Sequence, residues 1–199
     1  NSKAPPRCRR RDRRDQANAS FSSAFTASSR PKRSVILSSV TYHPIGTLRS
    51  LHRYPVKSMA AESLSTAAVS WHGLPGDRRW AFLRPHAERS GFPWFTIREK
   101  PDLWLYQPRF ADPTQVESSS VLVRTPTGAE FDVADPDLAR QLGDGIRVIK
   151  QYSGIFDTFP LSVLTVQSVA SLAHATGAPL TALRFRPNIL IDSTDAHPF

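Results

Sequence analysis

From about Ile45 onward, apolar and polar residues alternate in short runs, the period-two signature of half-buried strands. Such runs predict strands over 47–54, 67–71, 78–83, 94–98 and 103–110. In the strand at 78–83, alternation places Arg78, Trp80 and Phe82 on one face. SVLVRTPTGAEFDV predicts a hairpin turning at 126–128, and IRVIK one more strand. Helical periodicity is rarer. DPDLARQLGDG predicts a short helix with Asp135 as cap, Pro136 in its first position and Gly143 at its close. TVQSVASLAHATG predicts a longer one: Thr165 caps it, Val166, Val169 and Leu172 share a side, and Gly177 lies beyond its end. LRFRPNILID predicts a closing strand with Phe185, Pro187, Ile189 and Ile191 on one face and Arg186 and Asn188 on the other. Many strands, few helices and no βαβ alternation predict a mainly β fold with small helices (α+β), barrel-like in character. Seventeen prolines against nine glycines suit short strands joined by Pro-containing loops. No internal repeat is present.

Charge changes the picture only when divided along the chain. The formal net charge is +9, and residues 1–34 hold eight Arg and two Lys against two Asp, or +8 of it. The remaining residues carry +1, which argues against a nucleic-acid-binding fold with its own basic face. The basic segment, rich in Arg, Ser, Ala and Pro, buries too little apolar surface to offset chain entropy, so residues 1–43 are expected to be a disordered tail or leader. Its Arg- and Ser-rich character resembles an organelle transit peptide, which implies a mitochondrion or plastid; without that role the cytoplasm is the expectation. Its acids, Asp12 and Asp15, and a first residue that is not Met fit a misassigned start equally well. Contact of RCRRRDRR with RNA or anionic lipid is a third reading. The single cysteine, Cys8, excludes a disulfide framework and a cysteine-based zinc cluster. No apolar run approaches the ~18 residues of a membrane span.

Standard catalytic signatures are missing. There is no G-x-G-x-x-G after a strand, no Walker loop, no Ser-centred nucleophile elbow and no zinc pattern among the six histidines. What remains are polar residues where elements begin or end. In RYPVKSMAAESL, Pro55 removes a ladder donor and bends the strand, so Lys57 and Ser58 follow on a loop as one cation and one hydroxyl. They form either a solvated strand end or part of an anion site. Arg78 in GLPGDRRWAFL is either paired structurally with a carboxylate or held for an anionic ligand. Arg186 and Asn188 in RFRPNILID either face water on an edge strand or read charge and a hydrogen-bonding ring edge together. Thr165 and Ser168 frame a helix N-terminus that is either an ordinary cap or an anion cradle. The set has almost no competing acid or nucleophile. Its common denominator is an anionic, hydrogen-bond-rich ligand, with any catalysis supplied by a cofactor.

YPVKS, GDRRW, FTIREKP, DTFPLSVLTVQSVASL and FRPNI occur in the order and approximate spacing of MOSC-domain proteins. The chain resembles that family from about Gly46 to Phe199, in particular the branch of the mitochondrial amidoxime-reducing component and its bacterial relatives. The resemblance implies an N-terminal MOSC β-barrel domain over 44–158 and the start of an incomplete MOSC β-barrel over 159–199. It implies a molybdenum cofactor (molybdopterin) contacted by Lys57, Ser58, Arg78, Thr165, Ser168, Arg186 and Asn188. The branch reduces N-hydroxylated compounds with electrons from a cytochrome b5 or a flavin or iron–sulfur reductase. FTIREKP matches a family loop and receives no direct role. The family's metal-ligating cysteine would fall downstream of FRPNI, past Phe199, so the chain is expected to be a truncated form with no metal ligand of its own. A non-catalytic cofactor-binding or sulfur-carrier role, as in the C-terminal domain of the molybdenum cofactor sulfurase, is the alternative implied.

Overall fold

The computed structural model describes residues 43–87 and 89–195. The expected leader, including Cys8, lies outside the described residues except for His43. Strands dominate, with two α-helices, in line with the α+β expectation. They form three sheets, which do not close into a barrel among the described residues.

The first sheet has the order β2–β1–β10–β9, from β1 (Gly46–Arg53), β2 (Glu62–Leu64), β9 (Val163–Thr165) and β10 (Ile189–Ser193). β1 pairs antiparallel with β10, Leu51 opposite Ile189, with a register shift between Leu48 and Ser50. β10 runs parallel to β9. This sheet therefore joins the earliest described strand to the latest. The second has the order β4–β3–β8, from β3 (Trp80–Leu83), β4 (Trp94–Phe95) and β8 (Arg147–Lys150). The third is an antiparallel meander of β5 (Gln107–Phe110), β6 (Val121–Arg124) and β7 (Glu130–Asp132).

The apolar core collects Val56, Met59, Phe82, Leu103, Val121, Val123, Val133 and Leu138, each 1% exposed or less, with partners around them. Strand alternation sends Val121 and Val123 inward and leaves Arg124 outside. Helix α1 (Pro136–Leu142) buries Leu138, Ala139 and Leu142. Its start follows the sequence expectation: the Asp135 carboxylate accepts from the Asp137 amide at 2.8 Å, and Pro136 takes the first position.

Several expectations fail, each for a local reason. No strand forms over 67–71; the chain instead turns at Ser70–Gly73, where the two residues exchange backbone hydrogen bonds. Gly73 has φ +81, and a Cβ there would lie 2.1 Å from the Pro160 carbonyl oxygen, so the turn requires glycine. The strand at 94 stops at Phe95, because the Glu99 carboxylate caps the Thr96 amide at 2.9 Å and its hydroxyl at 2.8 Å. The first half of 103–110 belongs to a 3-10 turn, Pro101–Leu105, opened by proline. β2 and β9, three residues each, are too short for periodicity to reveal. The largest correction concerns 183–192. Residues Ala182–Phe185 form a 3-10 turn, Arg186 is left-handed at φ 55, and the strand begins only at Ile189. Arg186 and Asn188 are thus not alternate residues of one strand.

Candidate functional site

Three backbone segments lie side by side beyond the end of β1. The Arg78 amide donates to the Tyr54 carbonyl at 2.6 Å, and the Lys57 amide to the Trp80 carbonyl at 2.8 Å. On the other side the Ile155 amide donates to the Arg78 carbonyl at 2.8 Å. Pro55 cannot donate, so the ladder breaks there and the chain is handed to the 78–80 segment. Lys57 is consequently buried rather than displayed on a solvated loop. Its Nζ donates to the Asp157 carboxylate at 2.8 Å and to the Ile155 carbonyl at 3.3 Å.

Arg78 does not share a strand face with Trp80 and Phe82, since it precedes β3 in a left-handed conformation at φ 50. That backbone aims its guanidinium back toward the first sheet. Nη1 donates to Asp77 and, at 3.3 Å, to the Asn188 side-chain oxygen; Nη2 donates to the Arg186 carbonyl at 3.2 Å. Arg186 approaches from the opposite side, its Nη1 donating to the Met59 carbonyl. Both guanidinium groups lie on the Tyr54 ring, at 4.8 Å for Arg78 and 4.2 Å for Arg186. The Tyr54 hydroxyl donates to the Pro187 carbonyl at 3.0 Å. Lys57, Arg78 and Arg186 open together onto a cleft of about 450 Å³, a volume in the usual range for small ligands. Phe156, Asp157, Phe159, Ser162 and Phe185 complete much of its wall.

Asn188 is wholly buried behind these cations. Its side-chain oxygen accepts from the Ser162 amide at 3.1 Å as well as from Arg78, and its Nδ2 donates to the His52 carbonyl at 3.1 Å. It binds β1, the cleft loop and Arg78 together from behind. Ser58, Thr165 and Ser168 do not line the cleft. Ser58 is left-handed at φ 68. The Thr165 hydroxyl accepts from the Ser168 amide at 3.0 Å and bonds the Ser168 hydroxyl at 2.7 Å, capping α2 (Val166–Thr176). Three of the four non-glycine residues with positive φ among the described residues, Ser58, Arg78 and Arg186, are residues singled out from the sequence. Such backbone costs energy and persists where surrounding contacts enforce it.

Two carboxylates correct the expectation of a site with almost no acid. Asp77 is 1% exposed and pairs with Arg78, while its Oδ1 accepts from the Tyr54 amide at 2.7 Å. Burial pushes its carboxyl up despite the attraction of Arg78. Asp157 is the second acid, its side chain 74% exposed. Burial, with the nearby Arg78 charge, draws the Arg186 guanidinium down to about 10. Burial likewise pushes the Tyr54 phenol up to about 12, against the pull of both arginines. Four buried side-chain nitrogens among the described residues have no hydrogen-bond partner, and of these only Arg186 Nη2 belongs to a residue of the cleft wall. Asp77 and Tyr54 went unrecognised in the sequence, although each adjoins a chosen residue. The available signal was an acid next to an arginine, and an aromatic before a proline that ends a strand.

The chain belongs to the family described as the MOSC N-terminal beta barrel domain, which it matches over residues 45–150. That family is associated with molybdenum cofactor binding. No curated protein matches the chain.

Proposed function

We propose that the cleft binds the pterin and phosphate portion of a molybdenum cofactor. The observation that carries this reading is the pair of left-handed arginines stacked on Tyr54, one of which keeps a buried, unpartnered Nη2. A buried guanidinium nitrogen without an acceptor is costly, and a phosphate or ring-carbonyl oxygen would satisfy it. The charges agree: Lys57, Arg78 and Arg186 face two carboxylates, of which only Asp77 is buried. The residues present therefore fit the anionic, hydrogen-bonding part of the group. Among the described residues no cluster of His, Cys, Asp and Glu could hold a metal ion, so these side chains supply no ligand set for molybdenum.

When bound, the cofactor supplies two-electron redox chemistry at its metal. The protein's part is to bind and orient. Lys57 and Arg186 hold the phosphate, and Arg78, fixed by Asp77 and Asn188, sets the position of both. Ser58, Thr165 and Ser168 stand outside the cleft and assist only through the backbone they shape. The activity this reading supports is reduction of N-hydroxylated compounds, with electrons from a cytochrome b5 or a flavin or iron–sulfur reductase. On the same reading residues 44–158 are the MOSC N-terminal β-barrel domain and 159–199 belong to the MOSC domain that follows it.

The test is pterin content after co-production with the cofactor. Lys57→Gln and Arg186→Met each lower the bound pterin, read as its fluorescent oxidation product, by about tenfold or more, as expected for the loss of a charge-assisted contact. Unchanged pterin in a folded variant contradicts the reading. Reduction of an N-hydroxylated compound with a supplied electron donor separates the reductase from a sulfur-carrier role.

A further inference from the structure

The two acids of the site differ in what holds them. Asp77 is locked by Arg78 and the Tyr54 amide and is sealed from water. Asp157 stands at the cleft wall with its side chain 74% exposed, and its contact is Lys57 Nζ at 2.8 Å. Lys57 does not need that contact to keep its place, because the Ile155 carbonyl accepts from the same nitrogen at 3.3 Å. Ile155 is buried and anchored by its amide to the Arg78 carbonyl, whereas Asp157 lies two residues beyond the anchor in a segment without regular structure.

We propose that Asp157 is a built-in counterion that occupies the Lys57 corner of the cleft and must be displaced by an incoming anion. An exposed carboxylate gains little from pairing, so it leaves readily, while the buried ammonium it uncovers is a strong anchor for a phosphate. Once displaced, Asp157 remains near the mouth and repels the bound anion, which makes it a specificity-determining residue: it penalises weak or singly charged anions and admits those with enough charge to compete. This inference rests on the reading of the cleft as an anion site and adds the residue that sets its selectivity.

Inorganic pyrophosphate, titrated calorimetrically at fixed ionic strength, is the probe. Asp157→Asn keeps the shape and removes the charge. The expected result is pyrophosphate binding roughly tenfold tighter than in the unaltered chain. Asp157→Glu, which keeps the charge, binds as the unaltered chain does. In the double variant with Lys57→Gln most of the gain disappears, because the ammonium that Asp157 covers is gone and only the relief of its repulsion remains. Equal or weaker binding by the Asp157→Asn variant, with measurable binding by the unaltered chain, overturns the counterion proposal alone. Absence of binding in both overturns the anion-site reading and the proposal with it.

Discussion

The apolar core and the polar junction beneath the cleft follow different rules, although they meet at Val56 and Lys57. In the core, Val121, Val123 and Leu138 are buried by strand alternation and by one amphipathic helical turn, so each position follows from its neighbours in sequence. In the junction, partners are distant along the chain. Arg78 meets Asn188 at a separation of 110 residues, Arg186 meets Met59 at 127, and Tyr54 meets Pro187 at 133. The core tolerates approximate complementarity; the junction does not, because its buried polar groups depend on specific, distant partners. That contrast explains how one small fold combines a conventional interior with a ligand site.

The largest expected effect comes from breaking the junction at Asp77. Asp77→Ala leaves Arg78 without its carboxylate and the Tyr54 amide without its acceptor, at a cost of about 3–5 kcal/mol in urea unfolding. A loss below that of a core truncation would mean that the junction is softer than its hydrogen bonds indicate. The matching core variant, Leu138→Ala, costs about 2–5 kcal/mol, the range for truncating a buried leucine. Asp77→Asn sharpens the comparison through pH. Because the folded-state value is raised, the stability contributed by this group is fully present below the ordinary aspartate pKa and is lost as pH rises through the folded value. The unaltered chain should therefore lose stability relative to Asp77→Asn as pH rises above the ordinary aspartate value; a difference independent of pH would contradict the assignment.

A smaller change probes the tyrosine on which both arginines rest. Tyr54→Phe keeps the ring and removes only the bond to the Pro187 carbonyl, for about 1 kcal/mol. It should also remove a phenolate absorbance step that appears near 12 rather than at the usual tyrosine value. At the helix cap remote from the junction, Asp135→Ala costs about 1 kcal/mol and leaves pterin binding unchanged.

The same contrast decides what could be read from the sequence. α1, its Asp135 cap, the hairpin of β6 and β7 and the start of α2 at Thr165 were legible, since each depends on residues within one or two turns. The cleft residues Lys57, Arg78 and Arg186 were legible as chemistry but not as geometry. A left-handed residue resembles a strand residue in the pattern of apolar and polar positions, so 183–192 reads as one strand and Arg186 falls on the wrong face. The burial of Lys57 was hidden for a related reason: the residues that cover it, Ile155 and Asp157, lie about a hundred positions away. Asp77 was in view within GDRRW, yet nothing local distinguishes a buried acid from a turn aspartate.

The most direct measurement is a crystal structure of the protein loaded with the cofactor. The arrangement described here predicts the cofactor phosphate in the cleft, within hydrogen-bond distance of Lys57 Nζ and Arg186 Nη2, with Asp157 turned away from Lys57. A phosphate bound elsewhere, with the Lys57–Asp157 pair intact and Arg186 Nη2 still unpartnered, would contradict it.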